Sequence, residues 1–205
     1  MLSYIYDGSF EGLLTCIYEA YYRKESPVKI LGKEEEQENL LLQKVYIDTN
    51  EEKADKVYNA IRTKISPKAL HNVFYVFLSE SEESGIMILK YIQLGFKLGK
   101  DIDEHLAEDR VLHMHKLVKK VWREEHFLLG LIRFKKLHEN FYYASIEPEY
   151  HVLGLVAPHF AKRMADQNWV IHDIKRNMGA VYNQQEWTLQ DMNLKEPPRF
   201  GQEEE

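Results

Sequence analysis

Side chains able to do chemistry crowd into one stretch of this 205-residue chain. Residues 111–176 hold seven of the nine histidines and 11 Lys/Arg against 7 Asp/Glu. That window carries +4 and the remainder −10, for −6 overall. Such asymmetry fits an anion-binding face on an otherwise acidic protein; the competing account is that a swing of this size carries no function. Phosphate contact is the chemistry these cations suit, with Arg133, Lys135, Lys136, Arg163 and Arg176 as candidate ligands. Tyr142 and Tyr143 point to opposite faces of one strand. One of the two rings belongs in the core, and the other, with Tyr142 as the candidate, is placed to stack a base or line a pocket. His126 or His159 with Asp173 would supply general acid–base chemistry if the fold brings them within hydrogen-bond reach. Asp173, in W-V-I-H-D-I, is also placed to orient Arg176 or a histidine, and reads as half of a structural salt bridge as well. Taken singly, each of these residues reads as structural; their joint occurrence makes the case.

Other chemistries find little support. His113 and His115 are two apart on an expected helix, so they point in different directions and cannot share an ion. One cysteine, Cys16, leaves no ligand set for a structural zinc or an iron–sulfur cluster, and reads as a small buried thiol. The chain has no phosphate-cradling glycine motif of either common kind and no nucleophile elbow. No metal and no cofactor are expected. Forty-four per cent apolar and 29 per cent charged residues are ordinary for a globular protein. No apolar run approaches a membrane span and no signal segment opens the chain, so a cytoplasmic location is expected.

The elements that must position these residues follow from periodicity. Residues 127–137 and 141–146 read as strands, 152–165 as a helix, 169–174 as a strand and 180–187 as a fourth strand. That order predicts an antiparallel sheet with one face covered by a helix, an α+β unit. Upstream, 3–6 is an aromatic strand, followed by a helix over 9–23 capped by Asp7 or Ser9. Pro27 and Gly32 bracket a break, 33–39 is an acidic loop, and 40–47 is a strand able to pair with the first. Helices then follow one another: one capped at 48–50, one opened by Ser66-Pro67, one over 85–98 and one from Asp101 or Asp103 to about 125. The expected divisions are a strand–helix–strand opening with a helical bundle over 1–125, the α+β unit over 126–190 and a disordered tail over 191–205. No linker separates the halves, and one integrated globule is expected.

Several motifs carry a family resemblance: H-F-x-x-G-x-x-R-F from His126 to Phe134, Y-Y-A from Tyr142, the Pro148 turn, H-F-x-x-R from His159 and W-x-I-x-D-x-x-R from Trp169. The opening Y-D-G-S-F-E-G-L-L from Tyr6 belongs with them. In order and spacing they resemble a bacterial family of unknown function linked to DNA metabolism and DNA repair. Its members are encoded beside a DNA-repair radical-SAM protein, and a related domain is fused to uracil-DNA-glycosylase-type proteins. The resemblance implies contact with DNA and assistance to a radical-SAM partner that carries the chemistry. Members of that family continue into a further aromatic and basic segment, which this protein either lacks or carries past residue 205. A hydrolase or glycosylase-like enzyme with a His/Asp site, and a protein–protein adaptor without nucleic-acid contact, are the alternatives.

Overall fold

The structure, a computed structural model, describes residues 1–33, 43–138 and 140–192. The expected acidic loop, the start of the second expected strand and most of the tail lie outside the described residues. Two compact units are formed, Met1–Lys120 and Val121–Glu205.

The first unit opens with β1 (Leu2–Tyr6), whose aromatic and branched side chains suit a buried strand. Its turn into α1 (Phe10–Tyr22) is built from Asp7 and Ser9. The Ser9 side chain accepts from the Gly12 N–H at 2.9 Å, and Asp7 accepts from the Ser9 N–H and hydroxyl and from the Thr49 hydroxyl. Two short strands, β2 (Lys29–Gly32) and β3 (Gln43–Tyr46), flank β1 in parallel to give the order β2-β1-β3. Asn50 caps α2 (Glu51–Ala60), which continues into a π-helical turn, Ile61–Ile65. Ser66 then caps α3 (Pro67–Phe77) by accepting from the Ala69 N–H at 2.9 Å, with Pro67 at the first helical position. Next comes α4 (Ser84–Leu98), ended by Gly99 at φ 67°. A 3₁₀ segment, Gly99–Glu104, precedes α5 (Asp109–Leu131). The core gathers Tyr4, Leu13, Ile61, Val73, Ile88 and Met114, all essentially inaccessible. Gly85 makes the close approach in this unit, since a Cβ there would stand 2.6 Å from the Ile30 carbonyl oxygen.

In the second unit, β4 (Lys135–His138), β5 (Phe141–Ile146), α6 (Leu153–Arg163), β6 (Asn168–Asp173), β7 (Met178–Asn183) and β8 (Trp187–Asp191) follow in order. Their strands form one sheet in sequence order, and Phe160 of α6 packs with Trp169, Ile171 and Tyr182 in its core. The α+β class is as expected. Within it β5 and β6 run parallel, because α6 returns the chain across the sheet between them; the other three pairs are antiparallel.

Four expectations need correction. Residues 127–131 extend α5, and the strand after them is only β4. Their apolar run satisfies a helix as well as a strand: Leu128 and Ile132, four apart, both join the core cluster. The fourth strand is a hairpin, β7–β8, turned where the Asn183 side chain accepts from the N–H groups of Gln185 and Glu186. Lys29–Gly32 is a strand and not a plain break. Finally, neither Asp101 nor Asp103 opens α5, because Asp103 turns inward.

Candidate functional site

Arg133 and Lys135 follow the C-terminus of α5, where a helix leaves carbonyls unsatisfied. The Arg133 guanidinium donates from Nη1 to the Gly130 carbonyl at 2.7 Å and to the Ile132 carbonyl at 3.3 Å. It therefore caps the helix with a positive charge and meets no carboxylate among the described residues. Two residues on, Lys135 opens β4 opposite Tyr143. Pairing with β4 reaches no further along β5, so 144–146 have no strand partner on that side among the described residues. A groove of about 410 Å³ lies here. Phe127 and Leu131 form one wall, Tyr143 to Ile146 the other, and Arg133 and Lys135 sit in it together. Phe127 is 64 % exposed.

The end of the groove is fixed by carboxylate and guanidinium bonds. Glu124 accepts from the N–H groups of Glu149 and Tyr150, both at 2.7 Å. Burial, with the Glu149 carboxylate as a hydrogen-bond acceptor, pushes the Tyr150 hydroxyl up to about 12. Arg176 donates to the Pro148 carbonyl at 3.2 Å and the Glu149 carbonyl at 3.0 Å, and pairs with Asp173 at 2.9 Å. Asp173 is inaccessible, and its second oxygen accepts the Arg176 N–H. The salt-bridge reading of Asp173 is the observed one, and the Arg176 side chain is occupied in holding a turn.

The other candidates are dispersed. Lys136 is exposed and pairs with Tyr142, whose half-buried ring packs on the core cluster, so both lie on the sheet face opposite Lys135. His159 and Arg163 are exposed on α6, and His126 is exposed on α5 with its ring stacked on Trp122 at 5.3 Å. No hydrogen bond joins His126 or His159 to Asp173 among the described residues, and no group of three metal-binding side chains occurs among them.

Two polar arrangements escaped the sequence reading. Tyr143 and His172, on neighbouring strands, share a 2.8 Å hydrogen bond between the hydroxyl and Nδ1. Both are buried, and burial pushes the tyrosine up and the histidine down, with Asp173 opposing the latter. In the first unit, Asp103 accepts from the Tyr91 hydroxyl at 2.7 Å and the Asn72 amide at 3.0 Å, and meets His115 Nε2 at 2.8 Å. This network ties α3, α4, the 3₁₀ segment and α5 to one carboxylate. Its sequence signal was His115 following Asp103 by twelve residues, too far apart for any helical spacing.

Residues 82–204, more than half the chain, match the family described as a domain of unknown function, DUF4130. The chain belongs to the DUF4130 family. No curated protein matches it. Every candidate named from the sequence lies in the DUF4130 span, as do Tyr91, Asp103 and His115. No helix among the described residues is long and apolar enough to cross a membrane.

Proposed function

We propose that this DUF4130 protein contacts nucleic acid through the groove beside β4 and serves DNA repair or DNA metabolism. The observation that carries the reading is the pairing of Arg133 and Lys135 in one groove, beside an exposed phenylalanine. Cations that position phosphates next to a ring that meets a base are the parts such contacts use. Arg163 and Lys136 lie on other surfaces and would serve only a ligand that wraps the unit. Bond-making chemistry is assigned to the radical-SAM partner that the sequence resemblance implies, since Asp173, the acid in the enzymatic alternative, is spent on Arg176.

Fluorescence anisotropy of labelled single- and double-stranded DNA across a salt series tests this. An Arg133→Gln/Lys135→Gln variant, folded by circular dichroism, should bind more weakly. Its salt slope on duplex should fall by about 1.8 if both side chains neutralise phosphates. An unchanged slope in the folded variant would remove the groove from the interface. Exposed Trp122, Phe127 and Leu131 favour a second reading, docking of a protein on this part of α5. Salt-insensitive capture of the radical-SAM partner, without DNA binding, is its mark.

A further inference from the structure

A second concavity, of about 370 Å³, lies in the first unit among α1, α2 and α4. Its floor is hydrocarbon from Ile17, Leu89 and Ile92. Around it stand Tyr18, Tyr21, Tyr22 and Phe96, with Lys56 and Lys64. Tyr21 is 68 % exposed, Tyr22 64 % and Phe96 41 %, so three large rings are held in water at one place. Single exposed rings need no explanation, but a cluster around a cavity does. The rings are also pre-ordered. Tyr18 and Tyr22, four apart on α1, stack with centroids 4.2 Å apart, and Tyr21 meets Tyr22 edge-on at 5.4 Å.

Charge narrows the ligand. The chain is acidic overall, yet this lining contains two lysines and no carboxylate. Lys53, close by, is neutralised by Glu19 at 2.6 Å. Lys56 approaches the Tyr18 ring at 6.0 Å, and neither it nor Lys64 has an ion pair among the described residues. The Gln93 side chain adds an amide able both to donate and to accept. Flat rings, an apolar floor, an amide and two lysines without an ion pair among the described residues fit one ligand unit: a planar heterocycle carrying an anion, which is a nucleotide. Because Tyr21 and Tyr22 continue the aromatic surface outside the cavity, more than one base has a ring to meet.

We infer that this pocket binds single-stranded nucleic acid, with bases on the tyrosines and phosphates at Lys56 and Lys64. It shares a ligand class with the groove beside β4 and none of its residues, so either site can fail alone. Unstacked bases are required, and a duplex offers none except at its ends.

The test uses the full chain and labelled twelve-nucleotide oligothymidylate in an anisotropy titration. Tyr21→Ala/Tyr22→Ala should weaken binding about 5- to 150-fold, the range for losing one stacked base. Both side chains are exposed, so the fold should survive, and Tyr22→Phe should retain most affinity. Lys56→Gln/Lys64→Gln should lower the salt slope by about 1.4. An abasic oligonucleotide of equal length should bind parent and tyrosine variant alike, and the tyrosine variant should not change duplex binding. If the tyrosine variant binds oligothymidylate within twofold of the parent, the inference is overturned, whatever Arg133→Gln/Lys135→Gln does. Competition by thymidine monophosphate as strong as by the oligonucleotide would assign the pocket to free nucleotides and overturn the strand reading.

Discussion

Arg176 offers the sharpest test of structural against functional assignment. Replacing it by methionine keeps much of the side-chain volume and leaves the Asp173 carboxylate, 0 % exposed, without its counter-ion. Breaking one partner out of a buried pair costs about 3–5 kcal/mol. The Pro148 and Glu149 carbonyls also lose their guanidinium donors, but Lys175 still reaches the latter at 3.0 Å, so the pair dominates. Urea unfolding followed by tryptophan fluorescence reads this directly, because Trp169 lies inaccessible on β6, the strand that ends in Asp173. With a slope of about 2 kcal/mol/M, the midpoint should fall by about 1.5–2.5 M. Asp173→Leu/Arg176→Met should recover most of that loss, since no buried charge then remains. About 1 kcal/mol should persist for the lost turn bond from the Arg176 N–H. A single variant within 1 kcal/mol of the parent, or a double variant as unstable as the single, would refute the assignment. DNA binding weakened only in proportion to unfolding would confirm that Arg176 contacts no phosphate.

Three further outcomes are expected. Tyr91→Phe removes one donor from Asp103 and should cost about 1.5–3 kcal/mol in chemical denaturation, since the acceptor is charged; a neutral effect would mean the network is not closed. Hydrogen bonds from Lys53, joined by those from Arg23, outweigh burial and hold Glu19 below the usual carboxylate range. A depressed folded value means stability that is complete above the unfolded value near 4.5 and lost as pH falls through the folded one. The advantage of the parent over Glu19→Gln should therefore be full at pH 7 and shrink below about 4.5, as read by thermal melts across pH. His172, pushed down by burial, should titrate below the ordinary histidine value in an NMR titration, and a normal midpoint would show that the ring is not buried in solution.

Much of the fold was legible where local chemistry decides it. Ser9, Asn50 and Ser66-Pro67 each begin a helix because a side-chain oxygen must satisfy an early N–H, a rule that reads directly from sequence. β5 was legible from a solid run of aromatic and small residues between polar breaks. Residues 127–131 were misread because a continuous apolar run fits either period, although Phe127 and Leu131 repeat the four-residue spacing of Leu128 and Ile132. Of the site, Arg133 and Lys135 come together because they are neighbours in the chain. Convergence across elements, as at Asp103 with Asn72, Tyr91 and His115, leaves no local signature. Nor could spacing show that the Arg176 guanidinium would also reach the distant Pro148 and Glu149 carbonyls.

The all-parallel arrangement of the first sheet has a consequence for how the chain folds. β1 is central, and its partners lie 26 residues on at Lys29 and 41 residues on at Gln43, as the register pairs Ser3 with Lys29 and Leu2 with Gln43. Three of the four pairings in the second sheet join consecutive strands by short hairpins. Loop-closure entropy must be met before distant pairs form, so hairpins assemble early and parallel pairs late. During synthesis β1 leaves before both of its partners, with its edges unsatisfied until β3 has followed. A strand made before both of its partners is thus completed late, and a destabilising change in β3 should slow refolding of the first unit more than an equal change in β7 slows the second.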